Sequence, residues 1–151
     1  MKKAFSLLEI IFVLSIIALL GSFMLKNSFG FLEKAHITTL KTHIALIRNA
    51  LSLKKNERIR KGLSPYPLVL DKAQPNSANE QLFIGTPDEK LVEYPILSTT
   101  LAEKELGKFA KVSSLSYYAY ITKEDFIEFI YNNSSGTFSC SYDQDLCKEL
   151  N

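Results

Sequence analysis

Residues 5–25 read FSLLEIIFVLSIIALLGSFML, and this stretch decides how the rest of the 151-residue chain is interpreted. It is 21 residues long and contains one charged side chain, that of Glu9. A helix of that length spans about 31 Å, the thickness of the hydrocarbon core of a bilayer. Lys2 and Lys3 precede the stretch, and positive flanks stay in the cytoplasm. We therefore expect one membrane span, with the remainder of the chain outside the cytoplasm.

Three kinds of N-terminal segment other than an ordinary soluble helix contain an apolar stretch near the start of the chain. A cleaved secretory signal has an apolar stretch of about 7–15 residues and a small-residue cleavage site, whereas this stretch is longer and lacks that site. A lipoprotein signal requires a cysteine directly after the apolar stretch, and the sequence has none there. A simple signal anchor fits the length, but a carboxylate inside a membrane costs about 2.5–3.5 kcal/mol on insertion scales. Glu9 is therefore a candidate functional residue.

The segment KKAFSLLEIIFVL, residues 2–14, resembles the N-terminal signature of type IV pilins and of the related pseudopilins. In that family a short basic leader and a small residue precede a phenylalanine, and a glutamate and a long apolar run follow. The resemblance implies that a prepilin peptidase cleaves between Ala4 and Phe5 and then N-methylates Phe5. Ala4 stands where the family usually has glycine, and the proline that many pilins carry further along this helix is absent.

The resemblance also implies a role for Glu9 in assembly. Cleavage leaves a positively charged amine on Phe5, and the apolar helices of neighbouring subunits bundle away from water. Glu9 of one subunit then pairs with the Phe5 amine of the next, because an unpaired charge is costly in such surroundings. We therefore expect Glu9 to set the register between subunits, as a single buried polar residue does in a coiled coil.

On this basis we expect a structural subunit, a pilin or pseudopilin, of a type IV pilus-like filament that serves type II secretion, DNA uptake or a pilus. Its expected partners are prepilin peptidase, other pilin or pseudopilin subunits, an inner-membrane assembly platform and, before assembly, inner-membrane lipid. The expected location is the bacterial inner membrane, crossed once, with a cytoplasmic N-terminus and a periplasmic or extracellular C-terminal domain. The alternative is a single-span, membrane-anchored extracytoplasmic binding module without a filament role.

A second periodic pattern lies beyond the apolar stretch. Five apolar residues recur at steps of three and four, as on one face of an amphipathic helix. They are Ile37, Leu40, Ile44, Ile47 and Leu51. Because the first proline is Pro65, we expect a helix from about residue 5 to about residue 60. The predicted organisation is a leader (1–4), a membrane and filament-core helix (5–25), its amphipathic continuation (26–61) and a globular domain (62–151).

Charge is distributed unevenly along the chain. Residues 1–75 carry 12 basic and 4 acidic side chains and residues 76–151 carry 6 and 12, although the net charge of the whole chain is only +2. Basic side chains concentrate at the end of the predicted helix, within residues 48–61. Three interpretations of this basic segment remain open: a solvated helix end, a nucleic-acid-binding patch, or a docking surface for the acidic half of a neighbouring subunit. Because no aromatic residue is interleaved with these cations, the sequence favours the solvated helix end over nucleic acid as a partner.

The C-terminal domain is expected to contain an antiparallel sheet within residues 113–142. Alternating and β-rich runs predict three strands, at 115–121, 126–131 and 137–142. The apolar face of this sheet needs a cover, which the stripe at 37–51 offers. The predicted fold is therefore α+β and pilin-like, with a long N-terminal α-helix packed on a small C-terminal antiparallel β-sheet. Residues 65–110 are expected to form loops with one or two short strands, and residues 100–108 a short helix.

Cys140 and Cys147 are the two cysteines of the sequence. A domain exported beyond the inner membrane lies in oxidising surroundings, where cysteines this close in sequence pair, and many pilins have a disulfide near the C-terminus. We therefore predict a Cys140–Cys147 disulfide. Free thiols or metal ligands are the alternative, although two cysteines without an adjacent histidine make a poor zinc site. Asp143 and Asp145 also raise a calcium interpretation, but two carboxylates fall short of the oxygen set that calcium takes.

Sequence features typical of catalysis are missing. His36 and His43 are seven residues apart, whereas the H-x-x-x-H pair of a helical metal site needs a separation of four. The sequence holds no G-x-S-x-G segment, no phosphate-binding P-loop and no Cys–His pair with a recognised catalytic spacing. We therefore expect that the protein is not an enzyme, with no catalytic residue, no cofactor and no bound metal, and that both histidines are surface or half-buried residues.

Overall fold

A computed structural model describes residues 7–141 and 145–150, without the side chains of residues 23–31 and 149. The chain divides into two compact units, Met1–Ala35 and His36–Asn151. Helix α1 covers Leu7–Arg60 and contributes residues to both units. It ends where Gly62 adopts a φ of 70° and the N–H of Leu63 donates to the carbonyl of Arg58 at 3.0 Å. This arrangement satisfies a carbonyl that the last turn of a helix leaves without a partner.

The described part of the first unit consists of residues 7–35 of α1. Every described side chain in this unit is exposed. Leu7 and Leu8 are each 77% exposed, and Phe12 is 65% exposed. Between residues 7 and 22 the helix is apolar around its whole circumference, so it has no polar face to present to water.

The second unit is rich in sheet. Among the described residues, eight strands and one further helix follow α1. They are β1 (Gln81–Leu82), β2 (Gly85–Thr86), β3 (Glu89–Lys90), β4 (Ile96–Leu97), β5 (Phe109–Lys111), β6 (Ser116–Tyr120), β7 (Phe126–Asn132), β8 (Thr137–Cys140) and α2 (Asp145–Leu150). β1 pairs with β4 and β2 with β3, while β5, β6, β7 and β8 form a four-stranded antiparallel meander in chain order.

The core of this unit combines one face of the meander with one face of α1. In β7 the side chains alternate, so that Ile127, Phe129 and Tyr131 are buried and the residues between them are exposed. The apolar stripe predicted on the helix is confirmed, since all of its members are buried in the same cluster as the β7 side chains. Five aromatic rings fill the centre of this cluster: Phe83, Phe109, Tyr117, Phe129 and Phe138.

The predicted fold class, a long N-terminal helix packed on a small C-terminal sheet, is wrong. Residues 7–35 belong to a unit of their own, and the buried side chains of α1 begin only at Ile37. The rest of the chain is a sheet-rich region built around a four-stranded sheet, with two further two-stranded sheets before it. The physical reason is that the stretch at 7–22 is apolar on every side and has no single face with which to cover a sheet.

Two local predictions also fail. The meander contains β5 in addition to the three predicted strands, and its three residues are all buried, so they show no alternation to detect. Residues 100–108 form turns instead of the predicted short helix. Lys104 and Gly107 adopt φ values of 50° and 75°, which a right-handed helix does not accommodate.

Candidate functional site

The predicted processing residues, Ala4 and Phe5, lie outside the described residues. Glu9 lies in the first turn of α1, where a carboxylate interacts favourably with the positive end of the helix dipole. Its side chain is exposed, and none of the ion pairs among the described residues involves it. The carboxylate of Glu9 is therefore accessible to a partner from another chain, and its role in assembly stays a prediction.

Large apolar side chains surround Glu9 on α1. The exposed ones are Leu7, Leu8, Ile10, Ile11, Phe12, Val13, Leu14, Ile16, Ile17, Leu19 and Leu20. The only hydroxyl side chains within this stretch, Ser15 and Ser22, donate back to helix carbonyls at 2.8 Å and add little polarity. A continuous exposed apolar surface of this kind marks a site of contact with lipid or with other protein.

Three of the basic side chains at the end of α1 form ion pairs within the second unit. Lys54 and Lys61 each donate to Glu57 at 2.6 Å, and these hydrogen bonds lower the pKa of the Glu57 carboxyl to about 2. Arg58 pairs with Glu89, and its Nε also donates to the carbonyl of Ser64 at 2.6 Å. These ion pairs therefore weaken the positive surface that the sequence indicates over residues 48–61.

Arg48 and Lys55 line a groove of about 400 Å³ between α1, β8 and the loop that follows α1. Its polar lining consists of Arg48, Ser52, Lys55, Tyr66, Thr137 and Ser139. The ammonium of Lys55 lies 5.5 Å from the centre of the Tyr66 ring. This groove could not be predicted from the sequence, because the β8 residues that line it are distant along the chain from the helix.

The predicted disulfide is present. Cys140 is the last residue of β8 and Cys147 lies in α2, and their Cα atoms are 5.9 Å apart. Both residues are buried in the core of the second unit. The bond therefore ties the C-terminal helix to the edge of the meander.

Replacement of Cys147 by serine is expected to lower the free energy of unfolding of the second unit by about 2–3 kcal/mol, since the disulfide closes a short loop. The measurement is chemical unfolding with and without reductant, in parallel with the wild-type protein. Reductant should remove the difference between the two proteins. Equal stability under oxidising conditions would show that this disulfide does not restrain the unfolded chain.

A buried ionic cluster that the sequence did not reveal lies beside the aromatic core. Asp71 is 1% exposed and Lys111 is 4% exposed, and the Lys111 ammonium lies 2.6 Å from Oδ1 of Asp71. Oδ2 of Asp71 accepts hydrogen bonds from the Tyr117 hydroxyl at 2.8 Å and from the Phe83 N–H at 3.1 Å. Burial and the neighbouring Asp71 carboxylate raise the pKa of Tyr117, which therefore stays a hydrogen-bond donor.

The two histidines line a second groove, of about 430 Å³, beside Leu106 and Gly107. His43 is half-buried, its Nδ1 has no hydrogen-bond partner among the described residues, and burial lowers the pKa of its imidazole. No group of three or more histidine, cysteine or acidic side chains able to hold a metal occurs within the described ranges 7–141 and 145–150. Asp143, which the calcium interpretation requires, lies outside them.

Within the part of the chain that the structure describes, we find no helix with the length and apolar character needed to cross a membrane. The predicted span at 5–25 begins outside the described residues.

Comparisons of the chain with protein-family models, with curated proteins and with solved structures find no match. The resemblance of residues 2–14 to the pilin signature therefore stays a prediction from the sequence.

Proposed function

We propose that this protein is a structural subunit, a pilin or pseudopilin, of a type IV pilus-like filament. The observation that carries the proposal is the exposed apolar helix at residues 7–22, in which Glu9 is the one charged side chain. A helix that is apolar on all sides is stable where lipid or other helices cover it. The leader-like sequence in front of it, with Ala4 and Phe5 at the cleavage position, adds support.

In this proposal the helix serves first as a membrane anchor and then as a filament core. Before assembly, residues 5–25 lie in the bacterial inner membrane with the N-terminus in the cytoplasm. Prepilin peptidase removes the leader and methylates Phe5, and an inner-membrane assembly platform transfers the subunit into the filament. There, Glu9 pairs with the amine of a neighbouring subunit, and helix–helix contacts replace lipid contacts.

The second unit has a structural role in this proposal and no catalytic one. Its disulfide and its buried Asp71–Lys111 pair hold a domain that stands outside the inner membrane. Oxidising surroundings suit the disulfide, which favours a periplasmic or extracellular location. Type II secretion, DNA uptake and a pilus all remain candidate destinations for the filament.

A second candidate function is a single-span, membrane-anchored extracytoplasmic binding module. The open groove beside Tyr66 favours it, because a ligand site needs no filament to operate. The two candidates differ in what happens at the N-terminus, since a binding module requires neither cleavage nor methylation. They also differ in whether Glu9 matters.

Mass spectrometry of the N-terminal peptide tests the proposed function. We expect the mature chain from cells with active prepilin peptidase to begin at Phe5 and to carry one added methyl group. Ala4→Gly should be processed at least as fully as the natural sequence, whereas Ala4→Leu, with a larger side chain at the cut, should remain uncleaved. A chain that keeps Met1 in such cells would favour the binding module.

A further inference from the structure

We propose that His43 makes one side of the second unit sensitive to acid, so that a drop in pH loosens the contact between α1 and the chain segments 94–97 and 106–108. His43 lies on α1 and lines the groove of about 430 Å³, whose opposite wall is formed by those two segments. All of these residues belong to the second unit. The proposal is therefore independent of the proposed filament role.

The imidazole of His43 has a buried nitrogen that no other group satisfies. Its Nδ1 lacks a hydrogen-bond partner within residues 7–141 and 145–150, and its ring centre lies 6.4 Å from that of Phe109 in β5. A neutral ring can keep its proton on Nε2 and leave only a lone pair on the buried nitrogen. The protonated ring instead places an N–H donor and a positive charge there, and both are costly to bury without a partner.

The groove offers no counter-charge to a protonated His43. No acidic side chain is among the residues that line it in the described part of the chain. Its other titratable lining residues are His36 on α1, Tyr94 before β4 and Lys108 before β5. Lys108 pairs with Glu105, and none of the ion pairs among the described residues includes His43. Protonation therefore adds a positive charge to a groove that already contains the Lys108 ammonium.

The elements packed against the His43 ring supply no counter-charge either. β5, which carries Phe109, contains one titratable residue, Lys111, and its ammonium pairs with the buried Asp71. On α1 the side chains three and four residues from His43 belong to Thr39, Leu40, Leu46 and Ile47, none of which titrates. Among the described residues of these two elements, no ionised acid is placed to offset a charge on His43.

The direction of the pH effect follows from this environment. Burial lowers the pKa of the His43 imidazole, so the folded chain holds this proton less tightly than the unfolded chain, in which the pKa is about 6.5. Stability is therefore complete above about pH 6.5 and falls as the pH drops below that value, until the lower pKa of the folded state is reached. Within that window one proton raises the equilibrium constant for unfolding by up to about tenfold per pH unit.

The segment 106–108 is the part of the groove that we expect to open first. Turns at residues 100–108 lead into it, and Lys104 and Gly107 adopt φ values of 50° and 75° there. Gly107 lies so close to α1 that a Cβ on it would be 3.0 Å from Nδ1 of His36. Turn segments open at a lower free energy than the strands of a sheet. A small displacement here would let water reach the protonated ring.

Urea unfolding of the full chain in neutral detergent micelles, followed by tyrosine fluorescence between about pH 7.5 and about pH 5.5, tests the proposal. The sequence contains two histidines, and no other side chain has an ordinary pKa in this range. The equilibrium constant for unfolding of the wild type should rise towards acid pH. His43→Gln should remove most of that rise, whereas His36→Gln, the matched control from the same groove, should retain it.

Hydrogen exchange locates the opening within the second unit. For peptides that cover 94–97 and 106–108, the wild type and His43→Gln are compared at the same pH, which cancels the intrinsic pH dependence of exchange. Relative to His43→Gln, the wild type should exchange faster at about pH 5.5 than at about pH 7.5. Peptides from the meander should show a smaller change.

Three outcomes would overturn the proposal. The first is an equal pH dependence of unfolding in the wild type and in His43→Gln. The second is loss of that dependence in His36→Gln, and the third is an acid-induced rise in exchange that is as large in the meander as in 94–97 and 106–108. Titration of the two imidazoles of the wild type by NMR needs no variant, and a His43 pKa at or above about 6.5 would have the same consequence.

Discussion

Replacement of Glu9 by glutamine is expected to exclude the subunit from filaments while leaving its membrane insertion and its cleavage intact. Glutamine keeps the size of the side chain but cannot neutralise the amine that the proposed cleavage would create on Phe5. Removing one partner of a buried ion pair costs about 3–5 kcal/mol, because the other charge stays uncompensated. That cost recurs at every subunit, so incorporation should fall below detection.

Glu33→Gln is the matched control for this experiment. Glu33 is another exposed glutamate of α1, but it lies outside the apolar stretch at 7–22. Both variants lose one negative charge from the same helix, and only the Glu9 variant should disappear from sheared or purified filaments. Immunoblots of membranes and filaments measure the two populations separately. If Glu9→Gln enters filaments as fully as Glu33→Gln, the proposed pairing with the Phe5 amine is wrong.

The sequence contained enough information to locate the strongest periodic elements. The steps of three and four from Ile37 to Leu51 identified the buried face of α1, and alternating and β-rich runs identified the three longest strands of the meander. Strands of only two residues, such as β1 and β4, are too short to show periodicity. Their positions depend on contacts between residues that are distant in sequence. The N–H of Ser98, for example, donates to the carbonyl of Glu80 at 2.9 Å.

The same distinction between local signals and contacts distant in sequence applies to the residues of the candidate sites. The disulfide could be predicted, because cysteine spacing is a local signal, whereas the role of Glu9 stays a prediction. Asp71 gives no such signal, since Lys111 and Tyr117 lie 40 and 46 residues away. The division into two units was also missed, because an unbroken helical pattern does not show where buried contacts begin.

The buried Asp71 carboxylate makes polar contacts with several segments of the second unit. Besides Lys111 and Tyr117, it accepts hydrogen bonds from the N–H groups of Ala73 and Phe83, each at 3.1 Å. Phe83 adopts a φ of 60°, which is unfavourable for a bulky residue, and its bond to Asp71 helps to hold that conformation. One carboxylate thus joins the loop before β1, the strand β5 and the strand β6.

Asp71→Asn is therefore expected to lower the free energy of unfolding of the second unit by about 3–5 kcal/mol, because the buried Lys111 ammonium loses its counter-charge. Tyr117→Phe removes one hydrogen bond to the carboxylate and should cost about 1.5–3 kcal/mol. Chemical unfolding followed by tyrosine fluorescence measures both effects, since the chain has seven tyrosines and no tryptophan.

Two further variants separate the buried pair from a general effect of charge. Glu93→Gln breaks the exposed pair with Lys90 and should change the stability by less than about 1 kcal/mol. The double variant Asp71→Asn with Lys111→Met removes both buried charges and keeps an amide oxygen as a hydrogen-bond acceptor, and it should be more stable than Asp71→Asn alone because no charge is left unpaired. If Asp71→Asn proves as mild as Glu93→Gln, water must reach Lys111 when its partner is lost, and the cluster does not hold these three segments together.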